Sequence, residues 1–222
     1  MHRTKLVSNI DIAAILKKNS LESILTEREK GRLTSFLSPR RKQEWLGGRI
    51  AAKWLLGDWL KGHFAIELNP NEIEILNDEE GRPYALFRRD NKLIREATVE
   101  LCISISHIDG FAIAAFSTSQ KVGVDLVQIK GISVEMQHYF LNEEEVKTAQ
   151  SFGPEGPALF WAIKEAYLKA IGTGFSIPPK SISIQVDLNS KKIRISGTHE
   201  ESDVFFEKPN DRMLAAAVLT NR

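Results

Sequence analysis

Glu165 and Lys169 place a carboxylate and an ammonium one helical turn apart within Trp161-Ala162-Ile163-Lys164-Glu165-Ala166-Tyr167-Leu168-Lys169-Ala170-Ile171-Gly172. The apolar residues of this run recur with helical period. At 3.6 residues per turn the two charges share a side with Trp161, and such a pair can face an anion and its metal together. The same spacing is also the commonest helix-stabilising surface pair, contributing about 0.2–0.5 kcal/mol. A second acid, Asp125, lies in Gly123-Val124-Asp125-Leu126-Val127-Gln128-Ile129. There Val122, Val124 and Leu126 share one face of a strand and leave Asp125 on the other, either solvated or available to a metal.

The elements around these residues are readable from pattern. Leu101, Ile103 and Ile105 alternate with Cys102, Ser104 and Ser106, the run enters His107-Ile108-Asp109-Gly110, and Phe111 through Phe116 resumes it. Asp-Gly between two such runs predicts a β-hairpin. A histidine beside such a turn is more often structural or exposed than functional. Ser38 through Lys53 predicts a basic helix with Arg40 and Arg41 near its start and Arg49 and Lys53 one turn apart. Gly153-Pro154-Glu155-Gly156-Pro157 breaks the chain ahead of the Glu165 helix, and Gly172 is suited to a left-handed cap at its end.

Taken together and in this order, Gly81-Arg82-Pro83, Ile105-Ser106-His107, Gly123-Val124-Asp125, Tyr139 through Glu145 and the Trp-x-x-Lys-Glu-Ala-x-x-Lys core of Trp161 to Lys169 resemble one family. It is the 4'-phosphopantetheinyl transferases, in their larger, monomeric class typified by the surfactin-synthetase activator. The matching segments span about residues 38 to 180. The resemblance implies transfer of the phosphopantetheine arm of coenzyme A to a serine of an apo acyl or peptidyl carrier protein, with release of adenosine 3',5'-bisphosphate. Displacement at a phosphorus already ringed by negative oxygens is helped chiefly by positioning and charge neutralisation, so Mg²⁺ is expected as cofactor.

By the same resemblance Asp125 and Glu165 hold the metal, Glu165 also takes the serine proton, and Lys169 neutralises the leaving phosphate. Arg40, Arg41, Arg49, Lys53, Gly81, Arg82, Pro83, Ser106, His107, Lys164 and Lys169 form the expected coenzyme A contacts. Many relatives carry a second acid two residues after the first, where this chain has Val127. Glu145 is either a compensating acid or a helix-start charge. A coenzyme A or carrier-protein binding module without turnover is the alternative that Val127 favours. Ile132 to Phe140, with Met136 and Phe140 at helical spacing, is the candidate docking segment for an acidic carrier helix.

Internal similarity bears on domain organisation. Pro70-Asn71-Glu72-Ile73-Glu74-Ile75 and Pro179-Lys180-Ser181-Ile182-Ser183-Ile184 share Pro-x-x-Ile-x-Ile, and Asp109 and Asp211 are each followed five residues on by Ala-Ala. In both parts a helix precedes this strand and a hairpin follows it. The expected fold is therefore α+β, with two pseudo-symmetric halves, 1–121 and 122–222. Each is a small, mainly antiparallel sheet packed with helices, and a cofactor cleft lies between them, as in the family. A formal charge of +1 excludes the strongly basic profile of a nucleic-acid binder, and a single cysteine excludes an intrachain disulfide. No apolar run has signal-peptide or membrane-spanning length, so a cytoplasmic protein with no membrane partner is expected, a monomer being the simplest state.

Overall fold

The computed structural model describes residues 2–89, 92–94, 100–130, 132–187, 192–195 and 201–221. The architecture is α+β, in two compact units, Met1–Ser119 and Gln120–Arg222. In the first, strand β1 (His2–Ser8) leads into helices α1 (Asn9–Lys18), α2 (Leu21–Ile24), α3 (Glu27–Thr34) and α4 (Pro39–Phe64). Strands β2 (Ile73–Asn77), β3 (Pro83–Arg89), β4 (Lys92–Leu93), β5 (Cys102–Ile108) and β6 (Phe111–Ser117) follow. Local side chains set the helix starts. Ser8 with Asp11 and Thr26 with Glu29 make reciprocal capping boxes, and Ser38 caps α4 with Pro39 at the first helical position, where its missing N–H costs nothing.

Among the described residues the strands of this unit form two antiparallel ladders, β1-β6-β5 and β2-β3-β4. The β5–β6 hairpin turns at Asp109-Gly110, as the dipeptide predicts. Both residues have positive φ, 43° and 83°, and Ile108 pairs with Phe111, so the tight loop follows the twist of its strands. Helix α4 packs over β6 and buries Ile50, Ala51, Leu56 and Trp59 in a core shared with Ile103, Ala112, Ala114 and Phe116. Full burial of each large apolar side chain contributes about 1.5–3 kcal/mol.

The second unit runs β7 (Lys121–Gln128), α5 (Val134–Phe140), α6 (Glu143–Ser151), α7 (Gly156–Ile171), β8 (Ile184–Asp187), β9 (Lys192–Ile195), β10 (Glu201–Asn210) and β11 (Met213–Thr220). Its strands make one antiparallel sheet of order β7-β11-β10-β9-β8. Helix α7 packs across β7 and β11 and ends at Gly172 in the left-handed region. Both units follow one plan. The first strand pairs with the last, β1 with β6 and β7 with β11. The long helix, α4 or α7, is followed by a Pro-led 3-10 turn into β2 or β8, and a hairpin closes the unit. Strand β7 departs from the half-solvated alternation that its pattern suggested, because every residue from Val122 to Val127 is buried.

Candidate active site

Contact between α7 and β7 depends on an absent side chain. A Cβ at Gly123 would lie 1.7 Å from Ala166 O and 2.6 Å from Ala170 N, so the helix backbone rests directly on the strand. Asp125, two residues on and therefore on the same strand face, is 7 % exposed. Lys169 Nζ reaches down from α7 to donate to Asp125 Oδ1 at 2.6 Å and to Val124 O at 3.1 Å. One turn earlier, Glu165 is 8 % exposed, and its Oε1 finds no hydrogen-bond partner among the described residues. Burial, reinforced by the neighbouring Asp125 charge and opposed by Lys169, pushes the Glu165 carboxyl up to about 7. Asp125 is thus not the solvated acid its strand pattern allowed, and Glu165 with Lys169 is not a plain surface pair.

Two buried carboxylates, one with an oxygen lacking a donor, make a hard-oxygen donor set of the kind that Mg²⁺ accepts when water and phosphate oxygens complete its shell. The residues present therefore fit a divalent cation. A third acid does not join them. Val127 is packed in the apolar core with Phe140 and Ile163, and no group of three or more His, Cys, Asp or Glu able to hold a metal occurs among the described residues. Glu145 acts as a helix-start residue. It closes a capping box with Asn142, whose backbone N–H donates to Glu145 Oε2 at 2.9 Å.

In the first unit a pocket of about 200 Å³ is lined by Glu44, Trp45, Gly48, Arg49, Asn77, Gly81, Pro83, Ile105 and His107. Four of the expected cofactor residues, Arg49, Gly81, Pro83 and His107, meet there. Arg49 is 6 % exposed, lies over the Trp45 ring at 4.7 Å and donates from Nη2 to Asn77 Oδ1 at 2.6 Å. Its Nε has no partner among the described residues, and burial pulls the guanidinium down to about 10. A buried guanidinium with an unused donor is suited to an anion. The sequence reading missed Trp45, Asn77 and Glu44. Trp45 was detectable, since it precedes Arg49 by one helical turn.

The remaining expected contacts fall elsewhere. Ser106 is buried on β5, and because strand neighbours point to opposite faces it cannot share the His107 face. Exposed Arg40 bonds Glu44 at 2.8 Å and Asp109 at 2.9 Å, while His107 Nδ1 lies 3.6 Å from the other oxygen of Glu44. Arg41 and Arg82 are exposed and do not line the pocket. Lys53 and Lys164 are corrections to the expected cofactor set, because both side chains are fully buried and their ammonium groups are already held. Lys53 Nζ donates to Glu29 Oε2 at 2.6 Å, Pro70 O at 2.9 Å and Ile73 O at 2.5 Å. Lys164 Nζ donates to Glu145 Oε2 at 2.7 Å, Phe140 O at 2.7 Å and Pro179 O at 3.1 Å. An ammonium offers three donors, so neither lysine has one left for a phosphate.

On α5, Phe140 belongs to the core, edge-on to Trp161 at 4.6 Å, so it is not a docking residue. Val134, Met136 and Tyr139 carry the exposed apolar surface of that helix. No helix among the described residues is long and apolar enough to cross a membrane.

Residues 121–218 match the family model described as 4'-phosphopantetheinyl transferase superfamily. The chain is 29% identical over 187 residues to 4'-phosphopantetheinyl transferase gsp of Aneurinibacillus migulanus, covering 80% of this chain and 73% of that protein. To 4'-phosphopantetheinyl transferase Sfp of Bacillus subtilis (strain 168) it is 25% identical over 196 residues, covering 84% and 77%. A holo-(acyl-carrier-protein) synthase of Geobacillus sp. (strain WCH70) is 34% identical over 105 residues, 46% of this chain and 82% of that protein.

Proposed function

The chain belongs to the 4'-phosphopantetheinyl transferase superfamily, and on that premise we propose that it moves the phosphopantetheine arm of coenzyme A onto a serine of an apo acyl or peptidyl carrier protein. The observation that supports this most is the buried Glu165 carboxyl, one oxygen without a donor, beside the Asp125–Lys169 pair. In the transfer, the serine Oγ–phosphorus bond forms as the pyrophosphate P–O bond breaks, and adenosine 3',5'-bisphosphate leaves. Glu165, directly or through a water, receives the serine proton. A carboxylate with an oxygen that no donor among the described residues occupies can accept that proton. Lys169 carries a compact positive charge to the leaving phosphate. Mg²⁺, which Asp125 and Glu165 would hold, supplies neutralisation of the pyrophosphate charge. In the first unit, Arg49 is assigned to a phosphate of coenzyme A, with Trp45 beside it as an aromatic face.

Val127 supports a second reading, binding of coenzyme A or a carrier protein without turnover, since it withholds a third oxygen from the ion. One experiment separates the two. The protein is incubated with coenzyme A, Mg²⁺ and several apo-carrier proteins, and the carriers are weighed by mass spectrometry. Gain of the phosphopantetheine mass is expected, and Glu165→Gln and Asp125→Ala should each slow it by at least about a hundredfold while still folding. No labelled carrier, or full activity in Glu165→Gln, would overturn the assignment.

A further inference from the structure

We infer that the buried pair Glu145–Lys164 is a positioning device that fixes the rotation of α7 and so directs Glu165 toward Asp125. The inference rests on the transferase reading and adds to it two residues that touch no substrate. Lys164 immediately precedes Glu165. On a helix consecutive side chains are about 100° apart, so holding the first sets the azimuth of the second.

The hold is unusually complete. The three donors of Lys164 are spent on Glu145, on the carbonyl at the end of α5 and on Pro179 O in the turn before β8. Glu145 in turn accepts from Asn142 N at 2.9 Å on Oε2 and from Ile184 N at 2.7 Å on Oε1. One ion pair therefore ties α5, α6, α7, the Pro179 turn and β8 to a single register.

The first unit repeats it except at the third acceptor, which is a carbonyl of the following strand (Ile73 O) in place of the end of a preceding helix (Phe140 O). Lys53 meets Glu29, Pro70 O and Ile73 O, and Glu29 accepts from Thr26 N at 2.9 Å and from Ile75 N at 3.0 Å. The acid is again the third helical residue of a capping box, and the partner strand again follows Pro-x-x-Ile-x-Ile. The neighbour differs as well. Trp54 follows Lys53, so this copy has no catalytic acid to aim, but Arg49 of the pocket lies one turn before Lys53 on the same helix face. Each pair is thus adjacent to the group its own unit contributes.

That difference supplies a test that a purely structural role would fail. Two charge-free double variants are compared with the intact protein, Glu145→Gln with Lys164→Met, and Glu29→Gln with Lys53→Met. In each, the glutamine carbonyl keeps an acceptor for the strand N–H and neither member of the pair is left as a lone buried charge. The first variant is expected to lose about tenfold to a hundredfold in kcat with the KM for coenzyme A nearly unchanged, because the acid is misplaced. It should also bind Mn²⁺ about tenfold more weakly, read as free Mn²⁺ by electron paramagnetic resonance without any turnover. The second should raise the KM for coenzyme A and leave kcat and Mn²⁺ binding close to those of the intact protein. Should the first variant fail to melt cooperatively, Glu145→Gln with Lys164→Gln, which is also free of charge and returns an amide N–H to the carbonyls that Lys164 held, is expected to shift kcat and Mn²⁺ binding in the same direction. Retained kcat and Mn²⁺ affinity in the Glu145 and Lys164 variants, or equal changes of kcat and KM in both units, would overturn the proposal. The intact protein keeps the two failures apart: an inactive intact protein removes the transferase reading and this inference with it, whereas an active one with unaffected variants removes the inference alone.

Discussion

Glu165 is costly to the protein that carries it. An isolated glutamate titrates at 4.5, and this one is held up to about 7. Below the lower value both folded and unfolded chains are protonated there. Between the two values the unfolded chain releases the proton while the folded chain keeps it, so stability falls as pH rises and levels off above about 7. Two and a half pH units correspond to a penalty on the order of 3 kcal/mol. Glu165→Gln should therefore melt higher than the unmodified protein at pH 8 in metal-free buffer, with the gap closing toward pH 4.5; a variant of equal or lower melting point at pH 8 would show that burial does not strain this group. Residue type and spacing gave Glu165 and Lys169 only as a pair and Asp125 only as a lone acid, each with a surface reading open. That the three belong together was an expectation from the family resemblance, and the Lys169–Asp125 hydrogen bond joins them. Lys53 and Lys164 were misread. A sequence displays a cation but not the buried carboxylate that consumes it, and Glu29 and Glu145 lie 24 and 19 residues away from their lysines.

At the scale of elements, the site exists only because α7 lies flat on β7, and Gly123 permits that. Any Cβ there meets the backbone of Ala166 and Ala170, neither of which can rotate aside as a side chain would. Gly123→Ala should cost about 3 kcal/mol or more, at or above the upper end for overpacking. It is expected to depress the thermal midpoint and the transfer rate together; a soluble, fully active variant would mean that the helix can lift without consequence. Caps, the Asp109-Gly110 hairpin and the Gly172 helix end were all readable locally, since each is decided by a few adjacent residues. The double-sided burial of β7 was not. Alternation along a strand reports side-chain types on its two faces and cannot show that a helix covers the polar one.

For the whole molecule, a formal charge of +1 and an isoelectric point near 7.8 leave little net repulsion between copies at the pH where the Glu165 measurements are most telling. Solubility is therefore expected to be lowest near pH 8 and to rise toward pH 6, measured as the polyethylene glycol concentration that precipitates half the protein; a flat profile would show that local patches and not net charge govern association. The repeated Pro-x-x-Ile-x-Ile at positions 70 and 179 was visible in sequence, and in the structure each copy brings a strand N–H to the acid of a buried ion pair. Each frame is locked by a buried lysine whose donors are all engaged, and the residue after that lysine differs, tryptophan in one unit and glutamate in the other. One scaffold thus presents two different side chains at the same place without being rebuilt.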